Sequence, residues 1–197
     1  MRISSTRRRP RIVLPTEPLR DGPTVLRQWA DDDVEALVEI CQDPEIVRWI
    51  GVSADYGVDD ARAYLSTRDR AAQAGLGAHL AIADATEGNP LLGSISLVRF
   101  SWPDRRAEVG YWLGAPSRGQ GHATRAVGLI CRWGFRTLSL ERIELLAAAG
   151  NPASQRVAER SGFRREAVLR AYDTGRAGSD TRQDMVCFGR LATDPAH

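Results

Sequence analysis

The amino-acid sequence predicts a mixed α/β protein in which one central, mostly antiparallel sheet of about seven strands is flanked by helices. Short strand-like apolar segments alternate with longer segments of helical periodicity along the chain. Three strand-like segments in the middle are separated only by short turns, which favours an antiparallel meander. The 197 residues, 43% of them hydrophobic, suffice for one domain with tails.

In the first half of the chain we predict an irregular, proline-containing lead-in over residues 1–23, followed by a strand over residues 24–30. The acidic run from Asp31 to Asp33 suits the first turn of a helix that ends near Cys41, since carboxylates stabilise helix N-termini. A second helix is predicted from Asp59 to Ala74, where the sequence AGLG ends it. The strands of the meander are residues 78–84, 91–100 and 105–114.

The second half is predicted to begin with a long helix from Ala123, because small and apolar residues recur there with helical spacing. A strand, a helix and two paired strands follow, at residues 142–149, 152–162, 163–172 and 181–191. We therefore predict a basic, flexible N-terminal arm over residues 1–19, a single domain over residues 20–192 and a C-terminal tail over residues 193–197.

Composition excludes several classes of protein. The longest apolar runs are too short to span a bilayer, so no membrane association is predicted. The three cysteines are far apart and match no metal-binding spacing, which indicates reduced thiols in a cytoplasmic protein. The three histidines do not cluster either, so no metal site is predicted.

Five arginines lie within the first eleven residues, at Arg2, Arg7, Arg8, Arg9 and Arg11. Such an arm can contact RNA, including ribosomal RNA, by neutralising phosphates. The alternative is a solvated tail without a partner. Only the short run IVL separates the arginines from Pro15, which is too little for the apolar core of a targeting peptide.

The segment SRGQGHAT, Ser117 to Thr124, places Gly119 and Gly121 between a predicted strand and a predicted helix. A glycine-bearing turn at the start of a helix presents free backbone N–H groups and the positive end of the helix dipole, which together bind anions. A P-loop would require Gly-Lys-Ser/Thr, and a dinucleotide fingerprint would require a small residue where Thr124 lies. Neither pattern is met.

The segment RGQGHA, Arg118 to Ala123, resembles the acetyl-CoA pyrophosphate loop of the Gcn5-related N-acetyltransferases, the GNAT superfamily. The segment NPASQRVAERSGFRREA, residues 151–167, resembles the second cofactor segment of the RimJ/RimL branch, whose members carry Asn-x-x-Ser before a helix ending in Gly-Phe. EVGYWLG, residues 108–114, and the final two strands fit the same branch. The resemblance covers residues 20–192, and it implies the GNAT fold and transfer of an acetyl group from acetyl-CoA to an amine.

The resemblance also implies which residues bind acetyl-CoA. The strand carrying GYWL splays from its neighbour in this superfamily, so backbone groups near Trp112 and Leu113 would hold the pantetheine arm and the developing oxyanion. The glycine segment would hold the diphosphate and Asn151 the pantetheine. Arg156 is a candidate for the adenosine phosphate, and the alternative is an ordinary exposed arginine of the helix. The implied cofactor-binding residues are Trp112, Leu113, Arg118, Gly119, Gln120, Gly121, His122, Ala123, Thr124, Asn151 and Arg156.

Catalytic roles follow from the same resemblance. Ser154 matches the serine that gives a proton to the CoA sulfur, and the general base is Glu108 or Asp173. The alternative reading of NPAS is a helix start capped by Asn151, and the alternative for Glu108 is an ordinary strand residue paired with a nearby arginine. The superfamily's tyrosine acid is not carried over, because Glu159, Arg160 and Ser161 occupy that region.

The acceptor side is predicted to involve Trp49 and Tyr56, in the loop-like segment VRWIGVSADYG, and Tyr172. The first-choice acceptor is a protein N-terminal amine, as for RimJ/RimL relatives. A small-molecule amine is the alternative acceptor, and a non-catalytic CoA-binding or RNA-associated module is the alternative class. The protein is expected to be a monomer or a homodimer.

Overall fold

The computed structural model describes residues 9–53, 55–174 and 181–195, and it contains one open sheet of eight strands in the order β1-β2-β3-β4-β5-β6-β8-β7. The strands are β1 Leu19–Asp21, β2 Thr24–Arg27, β3 Ala78–Asp84, β4 Leu91–Ser101, β5 Arg106–Leu113, β6 Arg142–Ala148, β7 Arg164–Thr174 and β8 Arg182–Leu191. All neighbouring pairs are antiparallel except β5 with β6. The predicted mixed, mostly antiparallel α/β fold is therefore confirmed.

Five α-helices and one 3-10 turn, Ala115–Ser117, accompany this sheet in the described residues. The helices are α1 Asp33–Cys41, α2 Pro44–Ile50, α3 Val58–Gln73, α4 His122–Thr137 and α5 Pro152–Arg160. None of the helices in the described ranges is long and apolar enough to cross a membrane.

The two faces of the sheet bury separate apolar clusters. Val109 and Leu113 on β5 belong to the main cluster, which includes the buried side of α4, whereas Trp112 packs against a second cluster under α1, α2 and α3. Successive side chains of a strand point to opposite faces. The cofactor-type segments around α4 and α5 thus lie on the face opposite α1, α2 and α3.

Two elements differ from the sequence prediction. Trp49 was predicted to lie in a loop but lies in α2, whose N-terminus is capped by Asp43, with Pro44 in the first turn. Asp43 Oδ1 accepts a hydrogen bond from the Glu45 N–H at 2.9 Å, a capping pattern that the sequence already contains. The short strand β1 lies in the predicted irregular lead-in, and it raises the number of strands from seven to eight.

Part of the predicted N-terminal arm packs on the domain. Ile12 is 2% exposed, belongs to the main cluster and donates its backbone N–H to the Ala72 carbonyl at 2.9 Å. Packing on the domain therefore begins upstream of residue 20. Arg2, Arg7 and Arg8, and the end of the predicted tail, lie outside the described residues.

Candidate active site

The central feature of the site is a gap between two parallel strands. β5 pairs with β6 only from Arg106 to Glu108, although β5 continues to Leu113. On the other side of β5 lies β4, and the Gly114 N–H donates to the carbonyl of Leu92 on β4 at 2.9 Å. Because N–H groups alternate in direction along a strand, those of Tyr111 and Leu113 point into the gap. The gap thus offers unpaired backbone donors.

The glycine-rich segment forms the second feature of the site. Gly119 and Gly121 have φ angles of +76° and +82°, a left-handed conformation that favours glycine, and Gly121 is the N-terminal cap of α4. None of the N–H groups from Gly119 to Thr124 has a hydrogen-bond acceptor in the described part of the chain. Consecutive free N–H groups at the start of a sixteen-residue helix form a cradle for an anion.

Distant residues fix this cradle from behind. His122 is 3% exposed, and its Nδ1 lies 2.9 Å from Thr24 Oγ1 on β2. Arg125 Nε donates to the same Thr24 oxygen at 3.1 Å, and Arg125 Nη2 donates to the Gln120 carbonyl at 2.6 Å. Burial, with the charge of Arg125, lowers the pKa of His122. The predicted cofactor residues Gln120 and His122 therefore contribute to the shape of the loop through these contacts.

Arg118 is part of the loop, but its side chain is engaged within the protein. Its Nε donates to the Leu113 carbonyl at 3.0 Å, and its Nη2 forms an ion pair of 2.5 Å with Asp43 Oδ2. Asp43 is the residue that caps α2. The ion pair consequently ties the loop that follows β5 to the helix that carries Trp49.

Asn151 and Ser154 occupy the start of α5, as the sequence predicted. Asn151 Oδ1 accepts a hydrogen bond from the Ser154 N–H at 3.0 Å, so the side-chain oxygen caps the helix while the amide nitrogen is still available as a donor. The Ser154 hydroxyl accepts a hydrogen bond of 3.1 Å from the Tyr111 hydroxyl.

Sequence reasoning did not select Tyr111, although it lies in the quoted segment GYWL. Burial raises the pKa of Tyr111 to about 12, and the hydrogen bond to Ser154 opposes that shift. The phenol therefore stays protonated at physiological pH and donates to Ser154. The alternation of side chains along β5 could have identified it, because it places Tyr111 on the face opposite Trp112, toward α5.

A cavity of about 250 Å³ joins these features. It is lined by Glu45, Ile46, Trp49, Ile50, Tyr111, Trp112, Leu113, Arg118, Gly119, Ala123, Asn151, Ala153, Ser154 and Val157. The structure thus brings together most of the predicted cofactor residues, the predicted acid and one predicted acceptor residue. Trp49 is held there by a hydrogen bond of 2.8 Å from its Nε1 to Glu45 Oε2.

The other predicted residues lie outside the lining of this cavity. Glu108 is at the closed end of the gap, and its Oε2 forms an ion pair of 3.3 Å with Arg99. Asp173 and Tyr172 lie on β7, with Tyr172 49% exposed. Tyr56 precedes α3 and packs against the second cluster, where burial raises its pKa, and Arg156 is exposed on α5.

No group of three or more His, Cys, Asp or Glu side chains in the described ranges is arranged to hold a metal ion. The donors that the site does offer are backbone N–H groups, hydroxyls and the Asn151 amide nitrogen. A strand gap beside an anion cradle suits an extended ligand that carries phosphate, with the Tyr111–Ser154 hydroxyl pair at the same cavity. An acyl-CoA is a ligand of this kind.

Comparisons with known proteins agree. The family model described as the acetyltransferase (GNAT) domain matches residues 24–164. The chain is 29% identical over 148 residues, 75% of this chain and 83% of the other, to YoaA of Bacillus subtilis, described as an uncharacterized N-acetyltransferase. It is 34% identical over 101 residues, 51% of this chain and 55% of the other, to the ribosomal-protein-serine acetyltransferase of Escherichia coli.

Among solved structures, RimJ of Mycobacterium smegmatis in complex with CoA-disulfide has a TM-score of 0.78 at 23% identity, covering 89% of this chain and 86% of that one. The chain belongs to the GNAT family of acetyltransferases, and its fold is similar to that of RimJ. It is an acetyl-CoA-dependent N-acetyltransferase, with acetyl-CoA as its co-substrate.

Proposed function

We propose that this enzyme acetylates the N-terminal α-amine of a protein or peptide. The observation that carries the proposal is that, among the described residues, the cavity beside Ser154 is lined by no carboxylate without a partner. Its one acidic lining residue, Glu45, already accepts from Trp49 and lies 3.7 Å from Arg48. Neither Glu108 nor Asp173 lines it. The acceptor must therefore reach the site largely neutral.

The pKa of the acceptor amine then decides which class of acceptor is favoured. With a pKa of about 7.7–8.0, roughly a third of an α-amine is neutral at pH 7.5, whereas a lysine with a pKa of about 10.4 is neutral in only about one molecule in a thousand. An alkyl polyamine has the same disadvantage as lysine. The name of the Escherichia coli relative, a ribosomal-protein-serine acetyltransferase, supports a protein as the acceptor.

For acetyl-CoA, we propose that the backbone from Gly119 to Thr124 holds the diphosphate and that the gap donors of Tyr111 and Leu113 hold the pantetheine arm. Arg118 positions the loop through Asp43, and the exposed Arg156 lies on α5 for the adenosine phosphate. The amide nitrogen of Asn151 is the side-chain donor toward pantetheine, because its oxygen is used by the helix cap.

In the chemical step, the amine nitrogen forms a bond to the acetyl carbon, the C–S bond breaks, and the nitrogen loses a proton. Ser154 donates a hydrogen bond to the departing thiolate, while Tyr111 donates to the Ser154 oxygen and so directs the serine proton away from itself. A serine hydroxyl is a much weaker acid than a thiol, so the proton that finally neutralises the sulfur comes from the amine. The effect of Ser154 is accordingly modest.

The experiment measures release of free CoA thiol from acetyl-CoA with three sets of acceptors. The first set contains peptides with a free N-terminus and no lysine, the second contains the same peptides with a blocked N-terminus and an added lysine, and the third contains small amines such as spermidine. Mass spectrometry locates the acetyl group. We expect the first set to exceed the others by at least about tenfold in kcat/KM.

Preference for the blocked, lysine-containing peptides or for small amines would contradict the proposed acceptor and leave the family assignment intact. Binding of acetyl-CoA without transfer to any acceptor would instead favour the alternative of a non-catalytic module.

A further inference from the structure

A second, larger cavity lies away from the candidate active site. Its volume is about 810 Å³, and it lies between the start of α1, the outer part of α3 and the strand β3. It shares no lining residue with the first cavity. The mechanism proposed above uses none of its side chains, so its chemistry requires its own explanation.

Arg68 of α3 is the main feature of this cavity. It is 5% exposed, and its guanidinium carbon lies 4.4 Å from the ring centroid of Trp29 and 4.7 Å from that of Tyr64. Its Nε donates to the Tyr64 carbonyl at 3.1 Å, but its Nη1 is buried without an acceptor among the described residues. Burial lowers the pKa of Arg68 to about 10, so the group stays charged at neutral pH.

No carboxylate compensates this buried charge at ion-pair distance within the described part of the chain. Asp33, the acidic residue at the start of α1, is used by Arg27, whose Nη1 and Nη2 lie 2.7 Å from the two Asp33 oxygens. A buried cation without an ion-pair partner is costly, even where aromatic rings offset part of that cost. A bound anion would remove that cost.

Two further donors belong to the same cavity. The described residues contain five buried side-chain nitrogens or oxygens without a hydrogen-bond partner, and three of them, Trp29 Nε1, Arg68 Nη1 and His79 Nδ1, come from residues that line this cavity. Burial, aided by the charge of Arg68, lowers the pKa of His79 to about 4, so its ring is neutral and can carry its proton on Nδ1. Such a set suits the oxygens of a carboxylate.

The rest of the lining has the opposite charge. Acidic side chains surround the cavity at Asp31, Asp32, Glu35 and Asp69, with Arg62 as the other basic residue. Several carboxylates repel a ligand with multiple negative charges, such as a nucleotide. They attract an ammonium group on the same ligand.

We propose that this cavity is a second ligand site, which binds a small amino carboxylate through Trp29, Arg68 and His79. The carboxylate of the ligand accepts hydrogen bonds from these three side chains, and its ammonium group lies toward the acidic residues. This site is independent of the acceptor proposed for acetyl transfer.

The experiment is calorimetric titration of the full-length protein with glycine, 4-aminobutanoate and 6-aminohexanoate as probes. Butanoate and butylamine serve as controls that each lack one of the two charges. We expect at least one amino carboxylate to bind saturably with a Kd below about 10 mM. We expect each control to bind at least about tenfold more weakly, and saturating CoA to leave the affinity unchanged.

Two variants test the donors. Trp29→Phe keeps an aromatic ring beside Arg68 and removes the N–H, and Arg68→Met keeps an unbranched side chain between the rings and removes the charge. Both should weaken binding of the amino carboxylate by at least about tenfold. Thermal unfolding identifies a variant that fails to fold, in which case the other variant decides.

Three results would overturn the proposal. The first is that none of the three amino carboxylates binds saturably, which would mean that water alone satisfies the donors. The second is that butylamine binds as tightly as the amino carboxylates. The third is that a folded Trp29→Phe protein keeps its affinity for the amino carboxylate.

Discussion

The two cavities differ in the origin of their donors. At the candidate active site the donors are mainly backbone N–H groups from one continuous stretch, Gly119 to Thr124, and from the unpaired edge of β5. In the larger cavity they are side chains of Trp29, Arg68 and His79, which come from three separate parts of the chain. A backbone site is changed only through its conformation, whereas a side-chain site is lost with a single substitution.

The largest effect is expected when the backbone conformation of the first cavity is broken. Gly121→Val places a β-branched residue at φ +82°, and its Cβ would lie 2.9 Å from Arg125 Nη1. We expect the Kd for acetyl-CoA, measured by calorimetry, to rise at least about tenfold, which is about 1.4 kcal/mol.

Gly88→Val is the matched control, because Gly88 has φ +78°, open space around its Cβ position and a place in the β3–β4 turn. It should lose comparable stability and keep the affinity for acetyl-CoA. Unchanged affinity in a folded Gly121→Val protein would contradict the diphosphate assignment.

A smaller effect is expected from the side chains that complete the backbone site. Ser154→Ala and Tyr111→Phe should each lower kcat by about fivefold and leave acetyl-CoA affinity within about twofold. Because both hydroxyls act through one hydrogen bond of 3.1 Å, the double variant should resemble the single ones. Steady-state kinetics with calorimetric titration measures both quantities. Additive losses in the double variant would mean that the two hydroxyls act separately. A loss of affinity with kcat unchanged would mean that their role is structural.

The smallest effect is expected at the candidate base. Glu108→Gln removes a carboxylate that is paired with Arg99 and does not line the cavity. We expect kcat/KM to stay within about threefold of wild type and to rise with pH in parallel with it, because the neutral fraction of the acceptor α-amine rises through its pKa of about 7.7–8.0.

Asp173→Asn gives the same comparison for the second candidate. If either variant loses kcat/KM near neutral pH and recovers it toward pH of about 9, the substituted residue is the general base. At the higher pH the amine is already neutral and no longer needs a base.

The backbone site was largely predictable from the sequence. The glycines are contiguous with the helix that they start, and Asn151 and Ser154 carry the helix-start pattern, so local rules suffice. The missed helix α2 also had a local signal, the Asp43-Pro44-Glu45 run, which is an N-cap followed by a first-turn proline and a carboxylate.

The side-chain cavity was not predictable in the same way. Trp29, Arg68 and His79 each read as an ordinary residue of a strand or helix, and only tertiary packing brings them together and leaves their nitrogens without partners. The ion pair of Arg118 with Asp43 has the same origin, since 75 residues separate the two. Such contacts depend on how elements pack, which periodicity does not specify.

Thr24 has a consequence for how this enzyme can be divided. Its hydroxyl contacts both His122 and Arg125, so a residue of β2 braces the start of α4 from about one hundred positions away in the chain. A segment cut out around the glycine loop and α5 would contain every residue of the recognisable motif and lose this brace. The motif is contiguous in sequence, yet it is not a portable module, and grafting it into another protein requires the transfer of β2 as well.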